Sequence, residues 1–587
     1  MEKHIVWLDA KEKKLEKKVL AEYSSDEVRR HLEYLTTLTR MAGTEDELRA
    51  ARYITGKLDE YGVDSDIYEF DAYISHPGKA ELEILSPVQK SFPCLPNAFI
   101  ASTPPAGIEA ELMFLGNGLE ADYQGVDARG KIVIGEPGTG VTAQVDMARI
   151  AEENGAVAQI HISHAREREI RIMQLRNTWG SPTPETMDKV PQTPVISICN
   201  EDGKYLTGLT KKGSVVARLK ADAWRGYKKI IHPIGTLRGV REPEKYVLFG
   251  AHYCSWYIGA TDNAVANALL LEMARIFSKY RKGLGRGIRF AWWAGHTQGT
   301  YAGSTWYLDN FWEDVRDNAL AYLNMDGLGK IGSSGFEARN TEDIRKFNEI
   351  VIKEALGLNI KSVRVTKIGD QSFWGMGLPS STGRPVTAMG GGWYNHTVED
   401  TLDKVDMEGI IPTFKVNAVS ILRLCNNPIL PFEFVTTAQA FKARLSELQN
   451  ADKSDLDLAS LMSQVEALEE KVKALNRDIE RTLSAYQKKG VDKVLEGELK
   501  EINTCLMKLS RILIPALYSK AGKYNQDPMG SKYNPIPTLQ PLEELNLMDS
   551  DSEEYKALRT SLVRERNKLS DDISLANRIL FNTLDKI

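Results

Sequence analysis

Three things are scarce in this 587-residue chain, and each scarcity excludes a class of protein. The first is cysteine: Cys94, Cys199, Cys254, Cys425 and Cys505 are odd in number, scattered and form no CxxC pair. That excludes a disulfide framework and points to a reducing compartment, with the cytosol as the expected location. The second is the long apolar run. None approaches the roughly 18 residues of a membrane span, and the opening MEKHIVWLDAKEKKLEKK lacks the apolar stretch of a secretion signal. The third is charge of one sign. With 75 Lys+Arg and 80 Asp+Glu the formal net charge is −5, which gives no footprint for nucleic acid or an anionic membrane.

What is present reads as several domains, since the chain is too long for one hydrophobic core. Ser24, Ser25 and Asp26 supply helix N-cap chemistry, and GTEDELRAARYITGKLDEYG fits one amphipathic helix stopped by Gly62. A strand-like VDSDIYEFDAYI follows. From about 80 to 225 the chain is rich in short β-type runs (AELEIL, KIVIGE, AQIHIS, TPVISI) with one helical stretch, VDMARIAEENGA, ending at Gly155. From 244 to 426 the order becomes strand–helix–strand. KYVLFGAHY, GIRFAWWAG and ALAYLNMD are apolar runs of the kind buried in a parallel sheet, and ANALLLEMARIFSKY is a helix between them.

Beyond Pro428 the character changes to helix. Leu458, Leu461, Val465, Leu468, Val472, Leu475 and Ile479 alternate spacings of three and four, as a heptad seam does. That seam fits an intramolecular bundle or a dimer interface. More helix is expected at 494–520 and 552–584, around a Pro/Gly/Tyr-rich stretch at 521–541.

In parallel-sheet enzymes, ligands bind beyond the carboxyl ends of the strands. Polar residues follow each apolar run here: His252 and then Asp262, His296 with Thr297, Asp326, and His396 in GGGWYNHTVEDT. One strand-end histidine is most simply a structural residue. Three histidines and two aspartates at one edge instead suit zinc, with manganese or iron as further options.

These segments resemble the zinc-dependent M28 aminopeptidases, most closely the branch of glutamate carboxypeptidase II and the transferrin receptor. AHYCSWYIGATDNA, AGHTQGTYAGSTW, LNMDGLG and NHTVEDTLDKVD occur in that family's order, and ARGKIVIGEPG with TPVISICNEDGKYL looks like its protease-associated insert. The resemblance implies an α/β fold: a Zn-peptidase-like mixed-sheet core with an inserted β-rich protease-associated domain and a C-terminal helical domain. It implies a peptidase-like domain in two parts (1–80 and 226–430), the insert at 81–225, and helices at 431–587 that support a homodimer.

The resemblance also implies ligands. His252, Asp262 and Asp326 would hold one metal, and Asp262 would bridge to a second held by His396. At three places the chain departs from the family. Cys254 stands where a carboxylate would orient His252, and His296 and Thr297 stand where the family has a pair of glutamates. Cys254 and Thr297 then read as metal ligands or as outer partners of the ligands, and Cys254 equally as a small buried residue. His296 and Asp370 are the catalytic candidates, with His296 as acid/base. Trp256, Tyr301, Tyr394, Gln371 and Arg384 are candidates for the substrate pocket, core packing being the competing reading for the aromatics.

The function expected is metal-dependent hydrolysis of an amide or related bond in a small amino-acid-like or peptide substrate, with one or two ions, zinc first. A lyase or another amidohydrolase on the same fold is the nearest alternative. A non-catalytic receptor or scaffold is the alternative from another class.

Overall fold

The computed structural model describes residues 4–587 apart from 6–8, 139, 167, 388–391 and 490–492. Gly390 and Gly391 of the GGGWYNHTVEDT motif lie outside the described residues.

The apolar runs form the centre of one mixed sheet, fourteen strands wide among the described residues. KYVLFGAH lies in the strand Glu242–His252, which pairs in parallel with Arg286–Trp293, His252 opposite Trp293. On its other side it pairs in parallel with Ala319–Met325, Ala251 opposite Met325. Ser380–Thr387 continues the parallel set and Ser333–Asn340 runs antiparallel to it. Both faces of these strands are covered, which is why they read as unbroken apolar runs. Val247, Phe249, Ile288, Phe290 and Leu323 face one layer, and Tyr246, Leu248, Ala291, Trp293 and Tyr322 face the other.

The helices carry the expected local signals. Ser24 Oγ accepts from Glu27 N at the start of Ser25–Leu35, and Gly62, after Glu45–Glu60, takes a positive φ of 70° that its lack of a Cβ allows.

The β-rich region is joined to the core by a long antiparallel ribbon of Asp64–Ser86 with Val216–Leu237. One end of Val216–Leu237 pairs with Arg286–Trp293 and the other with Ile108–Phe114, so the sheet runs unbroken from one region into the next. Ile108–Phe114, Ile132–Gly135, Ala158–Ile162 and Val195–Ile198 lie parallel over their own apolar cluster, which includes Leu112, Ile132, Ile160 and Val195.

Four long helices follow: Val435–Ala451, Leu458–Lys489, Lys493–Tyr518 and Glu553–Leu584. Leu461, Val465, Leu468, Leu475 and Ile479 are buried within this chain's own bundle, continuous with the core of the sheet. The heptad seam is therefore filled intramolecularly, and a second chain would need another face. The 521–541 stretch folds back onto both the β-rich and the α/β regions: Met529 N donates to Asn177 O (2.7 Å) and Gly530 N to Lys367 O (2.8 Å). No helix among the described residues is long and apolar enough to cross a membrane.

Candidate metal centre

Adjacent parallel strands deliver their carboxyl ends to one edge. His252 ends its strand, Asp326 follows Met325, and His296 lies three residues past Trp293. Asp262 arrives from a tight turn leading into the helix Val265–Lys279. Asn263 fixes that turn to the sheet: its Nδ2 donates to His252 O (3.3 Å) and Met325 O (3.1 Å), and its Oδ1 accepts from Gly327 N (3.2 Å). Asp400 holds the other side, its two carboxylate oxygens accepting from Thr261 N (2.9 Å) and Asp262 N (3.2 Å).

The ligand candidates meet around Asp262. One of its oxygens lies 3.1 Å from His252 Nε2 and the other 3.1 Å from His396 Nε2, the placement of a bridging carboxylate. Asp326 Oδ1 lies 3.4 Å from His252 Nε2. One donor atom from each of His252, His296 and Asp326 falls within 4.8 Å of the others. The His252 and His296 rings stack with centroids 3.7 Å apart.

All three imidazoles are anchored through the same nitrogen. His252 Nδ1 lies 3.0 Å from Cys254 O, His396 Nδ1 3.0 Å from Ile172 O, and His296 Nδ1 2.6 Å from Asp370 Oδ2. A carbonyl or carboxylate oxygen accepts, so each Nδ1 carries a proton and Nε2 is the nitrogen each ring turns to the site. This is how histidine ligands are oriented in metal sites. His252 Nε2 is buried and makes no hydrogen bond of good geometry, although two carboxylates face it.

The electrostatics agree with that donor set. Burial opposes charge on His252, yet the facing carboxylates of Asp262 and Asp326 hold its pKa well above the ordinary value. Burial likewise opposes charge on Asp326, and His252 brings that carboxyl down to about 2. A negative field that keeps a proton on a buried imidazole would hold a divalent cation in its place, and the imidazole and carboxylate donors suit one. Strained backbone surrounds the site: Tyr257, Thr300, Tyr301, Asp370 and His396 all have φ between 49° and 67°.

The profile of Peptidase family M28 matches residues 233–420, the span that holds His252, Asp262, His296, Asp326, Asp370 and His396. The chain carries an M28 peptidase domain. Among curated proteins, the chain is 25% identical over 500 residues to a probable glutamate carboxypeptidase, VP8, of Zea mays, covering 71% of this chain and 68% of the maize protein. It is also 25% identical over 363 residues to the aminopeptidase NAALADL1 of Rattus norvegicus, covering 53% of this chain and 46% of the rat protein. Among solved structures, the fold matches an aminopeptidase from Aneurinibacillus sp. strain AM-1 with a TM-score of 0.54 at 21% identity. That match covers 70% of this chain and 96% of the bacterial one. A peptidase M28 precursor from Shewanella amazonensis matches with a TM-score of 0.58 at 22% identity, covering 71% and 97%.

Within the M28 domain, the positions that depart from the family pattern take up defined places. The Cys254 thiol faces inward, accepting from His296 N (3.2 Å) and lying 3.2 Å from Thr297 Oγ1. Thr297 also donates to Gln298 Oε1 (3.2 Å), so its hydroxyl is engaged beside Cys254. At position 254 the residue's own carbonyl lies 3.0 Å from His252 Nδ1 and accepts its proton.

Asp370 is braced by Ser304 Oγ (2.9 Å), and Ser304 meets Ser372, which accepts from Trp179 Nε1 (2.8 Å). Tyr301 stacks on Trp179 (3.8 Å) and sets its edge against His296 (4.6 Å), walling the site. Gln371 and Arg384 line a narrow cleft beside Asp326, where Arg384 Nη1 donates to Asp326 O (2.9 Å). Both amide atoms of Gln371 are buried without a partner.

Two of the pocket candidates are engaged elsewhere in the fold. Trp256 packs into an apolar cluster with Ala98, Phe99 and Ile172, and Tyr394 is buried with its hydroxyl turned to Lys404 O (3.4 Å). Sequence reasoning missed Asn263, Asp400 and Trp179. The first two lie inside the quoted GATDNA and NHTVEDT motifs, whereas nothing near Trp179 marks it.

Proposed function

We propose that this protein is a metal-dependent hydrolase cleaving an amide or related bond in a small amino-acid-like or peptide substrate. His252, Asp262 and Asp326 hold the principal cation. The observation that carries this reading is the common anchoring of the three imidazoles by Nδ1, which aims His252 and His396 at the two oxygens of Asp262. A divalent cation held there, zinc first for this donor set, would supply Lewis acidity to the reaction.

The chain's own residues do the rest. Asp262 and Asp326 fix the charge of the site, and Asp370 holds the His296 tautomer. His296 Nε2 is then the atom that takes a proton from the nucleophile and returns one to the leaving amine. A second cation at Asp262 and His396 would lack a carboxylate at position 297, so one ion suffices for this scheme. The names of the maize and rat relatives, a carboxypeptidase and an aminopeptidase, favour amide hydrolysis over a lyase reaction. The β-rich insert as a protease-associated domain, a homodimer through the C-terminal helices and a cytosolic location complete the proposal.

The test is turnover of aminoacyl anilides and a dipeptide panel after loading with zinc, manganese or cobalt. Hydrolysis that a chelator abolishes, and that His296→Ala loses while still binding metal, supports the assignment. Fully loaded protein that releases no amino acid from any substrate contradicts it.

A further inference from the structure

We propose that this chain has a second ligand site, for a long-chain aliphatic carboxylate, between the starts of the parallel strands and the C-terminal helices. A cavity of about 830 Å³ lies there, within the size range of small-molecule sites. Glu242, Lys245, Arg286 and Leu320 line it from the strand starts, and Leu499, Met507 and Ile579 from the helices Lys493–Tyr518 and Glu553–Leu584. From Lys245 to His252 is seven residues of strand, about 23 Å at 3.3 Å per residue. An occupant would not touch the metal centre, and the inference does not depend on the proposed reaction.

The lining has two characters. Leu320, Leu430, Leu499 and Met507 form a buried apolar floor, and Leu575 leaves 40% of its surface exposed at the edge. Around that floor stand eight Lys and Arg against four Asp and Glu, the reverse of the chain's overall balance. Among the described residues Lys245, Lys500, Lys508, Lys523 and Arg511 form no ion pair with a carboxylate.

Arg511 is the most telling of these. It is 7% exposed and donates only to carbonyl oxygens: Arg316 O (3.1 Å), Gly377 O (3.0 Å), Val315 O (3.4 Å) and Ala319 O (2.6 Å). Its charge is hydrogen-bonded and feels Asp343 and Asp317, but no carboxylate pairs with it directly, and a buried charge without a direct partner is costly. An anionic head at the cationic rim with an aliphatic tail along the floor satisfies both. A bare phosphate would leave the floor wet, and a neutral lipid would leave the cations unmatched. The concave shape, sunk between sheet and helices, fits a small ligand better than a flat helix surface of a second copy would.

The experiment is fluorescence titration of the full-length chain with cis-parinaric acid. Saturable 1:1 binding is expected, displaced by palmitate or laurate and not by butyrate or inorganic phosphate. Lys500→Glu with Lys508→Glu, and separately Thr504→Trp at the exposed mouth, should each weaken it about tenfold or more, with metal content unchanged. Absence of saturable binding overturns the proposal, as does equal displacement by phosphate, which would mark a simple cationic patch. Binding unchanged in both variants also overturns it. So does a wild-type dimer that Thr504→Trp dissociates while no probe binds, which would assign the cavity to a second copy.

Discussion

His296 Nδ1 lies 2.6 Å from Asp370 Oδ2, and Ser304 Oγ braces the other oxygen of that carboxylate at 2.9 Å. The pair resembles the carboxylate–imidazole units that set a tautomer and steady a charged ring during proton transfer. Asp370→Asn keeps the shape and removes the charge. The expected result is a fall in kcat of about 10²- to 10⁴-fold with metal content unchanged, read from steady-state kinetics and elemental analysis. Full kcat in that variant would take the pair out of the reaction.

Cys254 offers a sharper contrast. Its carbonyl orients His252, while its thiol faces His296 N and Thr297. Cys254→Ser should therefore change zinc affinity by less than about threefold. A loss of about 10- to 100-fold would mean that the thiol itself orients or binds the metal.

Asn263 joins two strand ends to the Asp262 turn through a single side chain. Asn263→Ala removes the side-chain donor to Met325 O and the acceptor of Gly327 N, while His252 O keeps Asn267 Nδ2 (2.9 Å), at a cost of about 1–3 kcal/mol. Because the same side chain positions Asp262, the loss in thermal stability should come with weaker metal binding. Lowered stability with unchanged affinity would restrict Asn263 to a packing role.

Acid sensitivity has a defined source in His232. The ring is buried against Trp293 (5.0 Å) and Tyr307 (6.0 Å), and neither ring nitrogen makes a hydrogen bond. Burial lowers its pKa to about 3. Unfolded, the imidazole titrates near 6.5, so below that pH the unfolded chain gains a proton that the folded chain refuses. Stability is thus complete above about pH 6.5 and falls as pH drops toward 3, by about 1.4 kcal/mol per unit for this group. His232→Phe should flatten the dependence by that amount in urea unfolding between pH 6 and 4.5. Identical slopes in the two proteins would contradict it.

Much of this molecule could be read from its sequence, and the exceptions share a cause. KYVLFGAH, GIRFAWW and ALAYLNM announced central strands because both of their faces are covered, and polar residues after them marked the site. The partners of two histidines were hidden because they are backbone carbonyls, of Cys254 and Ile172, which every residue type supplies. Ile172 and Trp179 come from the β-rich insert, so their part in the site depends on how the long ribbon sets that region over the strand ends. Trp256 and Tyr394 lie in loops as expected, but a loop position does not tell which way a ring turns. The return of Met529 onto Asn177 likewise depends on tertiary folding of the helices around it.

The most direct test is metal content by mass spectrometry for the wild-type chain and for Asp262→Ala, each loaded with zinc and then desalted. The account predicts at least about one zinc per wild-type chain and loss of most of it in the variant, with chelator lowering only the wild-type melting temperature. Less than about 0.2 zinc per wild-type chain, or equal retention by Asp262→Ala, would contradict it.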